Sequence, residues 1–451
     1  MAVTPAELRR LADDGSTVFA PYASETPPIA EHDYVQEEWV ATGVEDGHAY
    51  ATTVLVRRPR DRARFSGTVV VAPLHFHGIE PIWIYTAAYL LRSGHAWVEV
   101  AAQKTTLDLH VKPSNPDRYA DLDIDGPDSG DLDLALHLDD PEANNAFWSD
   151  LVRRNRATST ILAQVGAALR GSEGPFAGLE VRSVLLAGHS QTGSVTSYFI
   201  EDAHDQQRRE GGSAVYDGFF PTGFPYKPFR DIGVPVVQVM SDGDVSLPDY
   251  SFRPGYEGRA YRREDSDEPG DRYRLYELAA VPHMGTRYAP FDDLALWQAQ
   301  HGEDAAGDGA VFGSRMNSLP HFELFSVCLD HLVRWVEEGT IPPRAERLEI
   351  GPDGLFTKDE HGNTRAGVRC VQLDVPHATF HANLLRADGT PTWLTVGCEE
   401  PFAAEQLRAL YGDKAGYLAR FNHRLDELVT EGWLLPDDAA EMRREAEKLD
   451  F

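Results

Sequence analysis

The sequence is poor in three things, and each shortage removes a class of protein. It holds three cysteines in 451 residues, Cys328, Cys370 and Cys398. No two of them form a C-x-x-C pair and three cannot staple a chain of this length, so a disulfide scaffold is excluded. A reducing compartment with buried thiols is the expectation. No apolar run approaches the roughly 18–20 residues of a membrane span, and Met1 to Arg10 turns polar at once, without the apolar stretch of a secretory signal. Positive charge is the third shortage: 42 Lys and Arg stand against 72 Asp and Glu, a formal charge of −30. That surplus repels phosphate backbones and anionic headgroups. The chain is therefore expected to be cytoplasmic, with no nucleic-acid or membrane partner, and to meet neutral or cationic small molecules more easily. A homo-oligomer is compatible with this composition.

What is present is ample apolar content, 42%, enough for a sizeable core. Length alone suggests about three domains, but no period of 20 to 50 residues repeats, which removes solenoids and propellers. Strand and helix alternate instead. Val69 to Val71 and Trp97 to Val100 read as buried strands, with a helix from Trp83 to Arg92 between them and Gly94 closing it. Val184 to Leu186, Val215 to Phe220, Val234 to Met240 and Tyr273 to Leu278 continue the series. Tyr50 to Arg57 reads as an antiparallel leading strand. This is the α/β pattern of a mainly parallel central sheet flanked by helices.

Phe322, Phe325, Leu329, Leu332 and Val336 form a helical stripe, and Pro342-Pro343 marks a boundary after it. Residues 1–343 are read as the core. Residues 344–451 are a C-terminal extension of short strands and turns followed by helices at Gln406–Tyr411, Tyr417–Glu431 and Asp437–Lys448. Leu428, Trp433 and Leu434 need cover, so the extension is expected to dock and form one structural unit with the core. Between them in the chain, residues 121–150 carry ten acidic residues and no Lys or Arg. The segment opens like a calcium loop at Asp121, Asp123, Asp125 and Gly126, but Leu132 stands where a bidentate Glu is required and Asp128 where an apolar residue belongs. A solvated acidic insertion is the reading.

Chemistry concentrates at Gly188-His189-Ser190-Gln191-Thr192-Gly193, where an apolar strand runs into an amphipathic helix. A serine at such a sharp turn projects its hydroxyl above the sheet, and the turn demands small neighbours. Gly188 meets that demand. Thr192 is larger than the usual Gly, so either the helix stands off or the hydroxyl is bonded locally. A serine hydroxyl needs a base, and in this fold the chain order is Ser, acid, His. His283 follows the strand Tyr273 to Leu278 and is the candidate base. Asp244, in the loop after Val234 to Met240, is the first candidate for the acid, with Asp242 and then Asp265 or Asp267 as alternatives.

Acyl transfer also needs donors for the developing oxyanion. The amide of Gln191 is one, and the loop Leu74 to Gly78, with His75 and Phe76, is the source of the other. His75 and His77 admit a zinc reading, but no third ligand is placed by the sequence, so no metal and no cofactor are expected. His77, Trp83, Phe219 and Phe224 are the expected substrate-pocket residues.

Taken together these residues resemble the large α/β-hydrolase domain-containing proteins whose elbow reads G-x-S-Q-[ST]. Further likeness lies in Gly67 to Val71 with Arg92 to Val98 and Gln103, in Asp117 to Tyr119, Tyr216 to Phe219, Val234 to Gln238, Arg272 to Ala279 and Gly432 to Ala439. The resemblance implies the α/β-hydrolase fold and an esterase-like serine hydrolase, with Ser190 and His283 on matching positions. It departs in the oxyanion loop, usually Leu-Asn-x-[ST]-Gly-Gly and here Leu74 to Ile79. The acid loop, usually [ST]-Glu-Thr-[DE], has Asp242 in place of Glu and keeps Asp244. The expected reaction is cleavage of a small or medium carboxylic ester through an acyl-enzyme. Alternatives are acyl transfer to an alcohol or amine, C–C cleavage by the same triad, or a non-catalytic binding protein on this fold.

Overall fold

The computed structural model describes residues 2–13, 15–16, 18–21, 27–45, 47–125, 141–245, 259–285, 315–383 and 396–449. Half of the acidic insertion, residues 126–140 with Asp128 and Leu132, lies outside them. The chain divides into two compact units. The first is Met1–Gln238, Asp249–Arg274 and Leu332–Ile341; the second is Val239–Pro248, Leu275–His331 and Pro342–Phe451.

In the first unit, β1 (Glu7–Arg10), β2 (Tyr34–Glu45) and β3 (His48–Pro59) form an antiparallel ribbon, in register from Tyr34↔Pro59 to Glu45↔His48. The strands β4 (Thr68–Pro73), β5 (Ala96–Val100) and β7 (Ser183–His189) are buried along their whole length, with the two-residue β6 (Asp123–Ile124) on the flank of β3. Continuous apolar strands of this kind have both faces covered. β5 runs parallel to β4, β4 to β7, and β7 to β8 (Gly218–Thr222), while β3 meets β5 antiparallel. With β9 (Val236–Ser241), β10 (Ser266–Glu268) and β11 (Asp271–Leu278), the order among the described residues is β1-β2-β3-β5-β4-β7-β8-β9-β11-β10. This is the mainly parallel α/β sheet expected, extended at one side by an antiparallel ribbon. The chain leaves the first unit midway along β9 and again midway along β11.

Helices follow the strands that need cover: α1 (Pro81–Ser93), α2 (Pro141–Ala157), α3 (Ser159–Ala168) and α4 (Gln191–Tyr198). Gly94 closes α1 in the left-handed conformation, φ 71°, as a C-terminal glycine should. At the other end of α1, the buried Glu80 meets Arg57 at 2.8 Å, and the Arg57 guanidinium lies 4.3 Å over the Trp83 ring. Trp97 Nε1 donates to Glu99 at 2.9 Å. Burial, and then the charge of Glu80, holds the Glu99 carboxyl well above its ordinary range.

In the second unit, β12 (Arg315–Met316), β14 (Cys398–Pro401) and β13 (Ala378–His381) form a small antiparallel sheet. Among the described residues of the stretch 344–400, expected as a series of short strands, there are also single bridges such as Leu348↔Ala366 and Lys358↔Thr364 and a helical turn, Val371–Asp374. Helix α5 (His321–Glu338) begins in this unit, and α6 (Ala404–Tyr411), α7 (Lys414–Glu431) and α8 (Pro436–Ala446) end the chain. Tyr417, Phe421, Leu425, Leu428, Leu434 and Met442 make one apolar cluster. Trp433 is covered by Tyr276 and His331, edge-to-face at 5.1 and 5.6 Å. All three cysteines are free and buried. Among the described residues no helix is long and apolar enough to cross a membrane.

Two buried histidines of the first unit couple its stability to pH. His95 bonds Ser66 Oγ at 2.7 Å and Tyr89 at 3.1 Å, and His204 donates to the Ile232 carbonyl at 3.0 Å. Burial, aided by Arg182 and Arg208 respectively, pushes each down to about 4. An unfolded histidine titrates near 6.5, so between about 6.5 and 4 the unfolded chain binds protons that the fold refuses. The stability they contribute is complete above about pH 6.5 and is lost as pH falls, each adding a slope of about 1.4 kcal/mol per pH unit. Urea unfolding at a series of pH values should show this acid limb, and His95→Gln should flatten it by one proton; an unchanged slope would refute the assignment.

Candidate active site

Strand β7 ends at His189, and the chain turns into α4 through Ser190 at φ 58°, ψ −121°. A non-glycine residue there is strained, at a cost of order 1–3 kcal/mol that its surroundings must offset. Here they do so by hydrogen bonds on both sides. Ser190 N–H donates to the Thr222 carbonyl at 3.0 Å. The Thr192 hydroxyl accepts from His189 N–H and donates to the His189 carbonyl, both at 2.9 Å. The local bonding that the larger Thr192 calls for is therefore present. A Cβ on Gly188 would strike the Thr192 carbonyl oxygen, and one on Gly193 would strike that of Thr222. The second required glycine is thus Gly193, one position beyond the usual place. Ser190 itself is half-exposed.

Gln191 opens α4, so its amide has no partner within the helix. Its side chain reaches the loop after β4: Phe76 N–H donates to Gln191 Oε1 at 3.3 Å. The loop is a tight turn, Gly78 N–H to the His75 carbonyl at 2.8 Å, with Gly78 at φ 72° against the His110 ring. His77 N–H donates to His75 Nδ1 at 3.1 Å, so the His75 proton sits on Nε2. The rings of His75 and His77 stack at 5.3 Å. Among the described residues no three His, Cys, Asp or Glu gather as a metal site.

The expected pocket residues take different places. His77 is exposed on the loop. Trp83 is buried against Trp97, centroids 5.7 Å apart. Phe219 is buried among Phe199, Tyr216 and His204. Phe224 is half-buried and lies edge-to-face on Tyr198, the last residue of α4, at 6.0 Å.

In the second unit, β9 ends in a short helical turn, Asp242–Val245. Asp244 Oδ2 accepts from Ser241 N–H at 2.6 Å, and Ser241 Oγ accepts from Asp244 N–H at 3.2 Å. The other carboxylate oxygen, Oδ1, accepts from His283 Nδ1. Both residues are buried. Asp242 is engaged differently: its Oδ2 accepts from Ala280 N–H at 3.2 Å and from the Thr364 hydroxyl at 2.5 Å, holding the backbone just before His283. In the first unit Asp267 pairs with Arg274. Of the candidate acids, Asp244 is bonded to His283, and Asp242 to Ala280 and Thr364. Sequence reading gave no role to Thr222 and Gly193, which support the turn at Ser190, or to Asn155, which bonds the Gln191 side chain. Only Gly193 left a signal, as the glycine directly after Thr192.

The two glycines and Thr192 give a direct test of this turn. Gly188→Ala or Gly193→Ala should each destabilise the chain by about 1–3 kcal/mol, the usual cost of overpacking. Thr192→Val, which keeps the shape but strands the His189 amide, should cost about 1–3 kcal/mol. Chemical denaturation measures all three; wild-type midpoints would show that the turn is not held this way.

Residues 22–444 match the alpha/beta hydrolase domain family. Among solved structures, a cold-adapted esterase from an Arctic intertidal metagenomic library, in its zinc-bound form, is 12% identical, with 54% of this chain and 84% of that one covered and a TM-score of 0.28. The LpqC poly(3-hydroxybutyrate) depolymerase from Bordetella parapertussis is 11% identical over 69% of this chain and 91% of that one, TM-score 0.32. A search of curated proteins finds no match. With the match spanning nearly its whole length, this chain belongs to the alpha/beta hydrolase domain family.

Proposed function

We propose that this family member, a hydrolase, cleaves a carboxylic ester of a small or medium, uncharged or cationic substrate through an acyl-enzyme on Ser190. The observation that carries the reading is the backbone of Ser190, held at φ 58° where a strand enters a helix. Proteins retain such strain where it serves chemistry, and this conformation aims a serine hydroxyl away from both flanking elements.

In the proposed reaction Ser190 Oγ attacks the ester carbonyl while His283 Nε2 takes its proton. Asp244, bonded to His283 Nδ1, fixes the tautomer and stabilises the imidazolium. The oxyanion is received by the Gln191 amide and by the loop carrying His75 and Phe76. The intermediate collapses as His283 returns the proton to the leaving alcohol. Water, deprotonated by the same ring, then attacks the acyl-enzyme, and the acid is released with Ser190 restored. Zinc chemistry at His75 and His77 is not part of the reading, because His75 Nδ1 is engaged by the His77 amide.

Ser190→Ala should lower kcat on an ester by roughly 10⁴-fold or more, and Asp244→Asn by about 10⁴-fold through the wrong tautomer. A fluorophosphonate should label wild type and leave Ser190→Ala unlabelled. Turnover retained by Ser190→Ala would remove the serine mechanism, and a folded wild type that resists the probe would point to a binding protein. Product analysis with added alcohol or amine separates hydrolysis from acyl transfer.

A further inference from the structure

The hydrogen bonds around Gln191 form a chain with a fixed direction. A backbone N–H can only donate, so the Gln191 atom facing Phe76 N–H, 3.3 Å away, is the carbonyl oxygen. The carboxamide nitrogen must then face the other way, where it donates to Asn155 Oδ1 at 2.6 Å. That orients Asn155 in turn, and its Nδ2 donates to Ser194 Oγ at 2.7 Å. The Gln191 carbonyl can only accept, so the Ser194 hydroxyl donates to it at 2.6 Å. One amide on the loop after β4 thus sets the orientation of two carboxamides and a hydroxyl. Asn155, Gln191 and Ser194 are all more than nine-tenths buried, so water does not compete for these bonds. The next peptide of the loop is held separately, through His110 Nε2 donating to the Phe76 carbonyl at 2.9 Å.

We infer that Asn155 is a positioning residue for the oxyanion site: it holds the Gln191 carboxamide with its oxygen toward Phe76 N–H, and so fixes the loop after β4 against the start of α4. This rests on the acyl-enzyme reading above. Both halves of the proposed oxyanion site depend on the link. The Gln191 amide lies at the start of α4, and the loop carrying His75 and Phe76 is held in place by the Gln191 side chain through the Phe76 N–H. Asn155, from α2, reaches neither the serine nor the substrate in this scheme. It acts through Gln191. An oxyanion site is effective only when its donors are preorganised, and loss of one donor costs about 10²–10³-fold in kcat. A misplacement of about 1 Å costs about 10²-fold.

The test uses the full chain with a chromogenic ester. Asn155→Leu, which removes the acceptor, should lower kcat by about 10–100-fold while KM changes less than about threefold. Affinity for a boronic acid that forms a tetrahedral adduct on the serine should fall in parallel with kcat/KM. Asn155→Asp still accepts from Gln191 Nε2 and should recover kcat to within about fivefold of wild type. In a double-mutant cycle, Asn155→Leu with Gln191→Met should be no slower than Gln191→Met alone, since both break one chain. If Asn155→Leu does not fold, Asn155→Asp and Gln191→Met carry the comparison. A wild-type kcat in Asn155→Leu, an equal loss of kcat and boronate affinity in Asn155→Asp and Asn155→Leu, or additive losses in the cycle would overturn the inference. Failure of the serine reading is distinct: Ser190→Ala would remain active and wild type would resist the fluorophosphonate.

Discussion

A serine backbone at φ 58° is the constraint around which the end of β7 is arranged. An L residue does not stay there unaided. The conformation persists because the Ser190 amide has an acceptor in Thr222, the Thr192 hydroxyl closes a loop on His189, and two glycines leave room for carbonyl oxygens. Each of these contacts comes from the strand pairing of β7 with β8 or from the first turn of α4. The parallel sheet is therefore more than a platform for the turn. Its register places the Thr222 carbonyl opposite Ser190, as the pairing His189↔Thr222 requires.

Histidine tautomers in the two loops are set in opposite senses. His283 presents Nδ1–H to the Asp244 carboxylate. His75 accepts at Nδ1 from the His77 amide and carries its proton on Nε2. Neither choice is made by the imidazole itself. A carboxylate bonds one ring and a backbone N–H the other, so the two rings face their neighbours through Nδ1 in different ways.

Much of this was legible in the amino-acid order, and the remainder was hidden for identifiable reasons. β4, β7 and the stripe of α5 announce themselves because their apolar residues are contiguous or regularly spaced. The elbow is legible because Gly188, Ser190 and Gln191 are neighbours. β2 is harder to see, since its buried positions include Glu37 and Glu38, whose charges are met by Arg58 and Arg118 at 2.8 Å. A polar residue in a strand reads as surface unless its partner is known. The same limit separates Asp244 from Asp242: two acids two residues apart look equivalent until one meets His283 and the other meets Ala280 and Thr364. Asn155 carries no local signal at all, because its partners come from α4.

The buried thiols have a practical consequence. Burial pushes Cys370 up to about 12 and Cys328 higher still, and Cys398 is enclosed as well. A thiol reacts as its thiolate, so the native cysteines are silent toward mild alkylating reagents while the chain is folded. The natural sequence is in effect already a cysteine-free surface. A single reporter cysteine placed on it would carry a fluorophore or spin label at one defined position, without any native residue being replaced to make room for the chemistry.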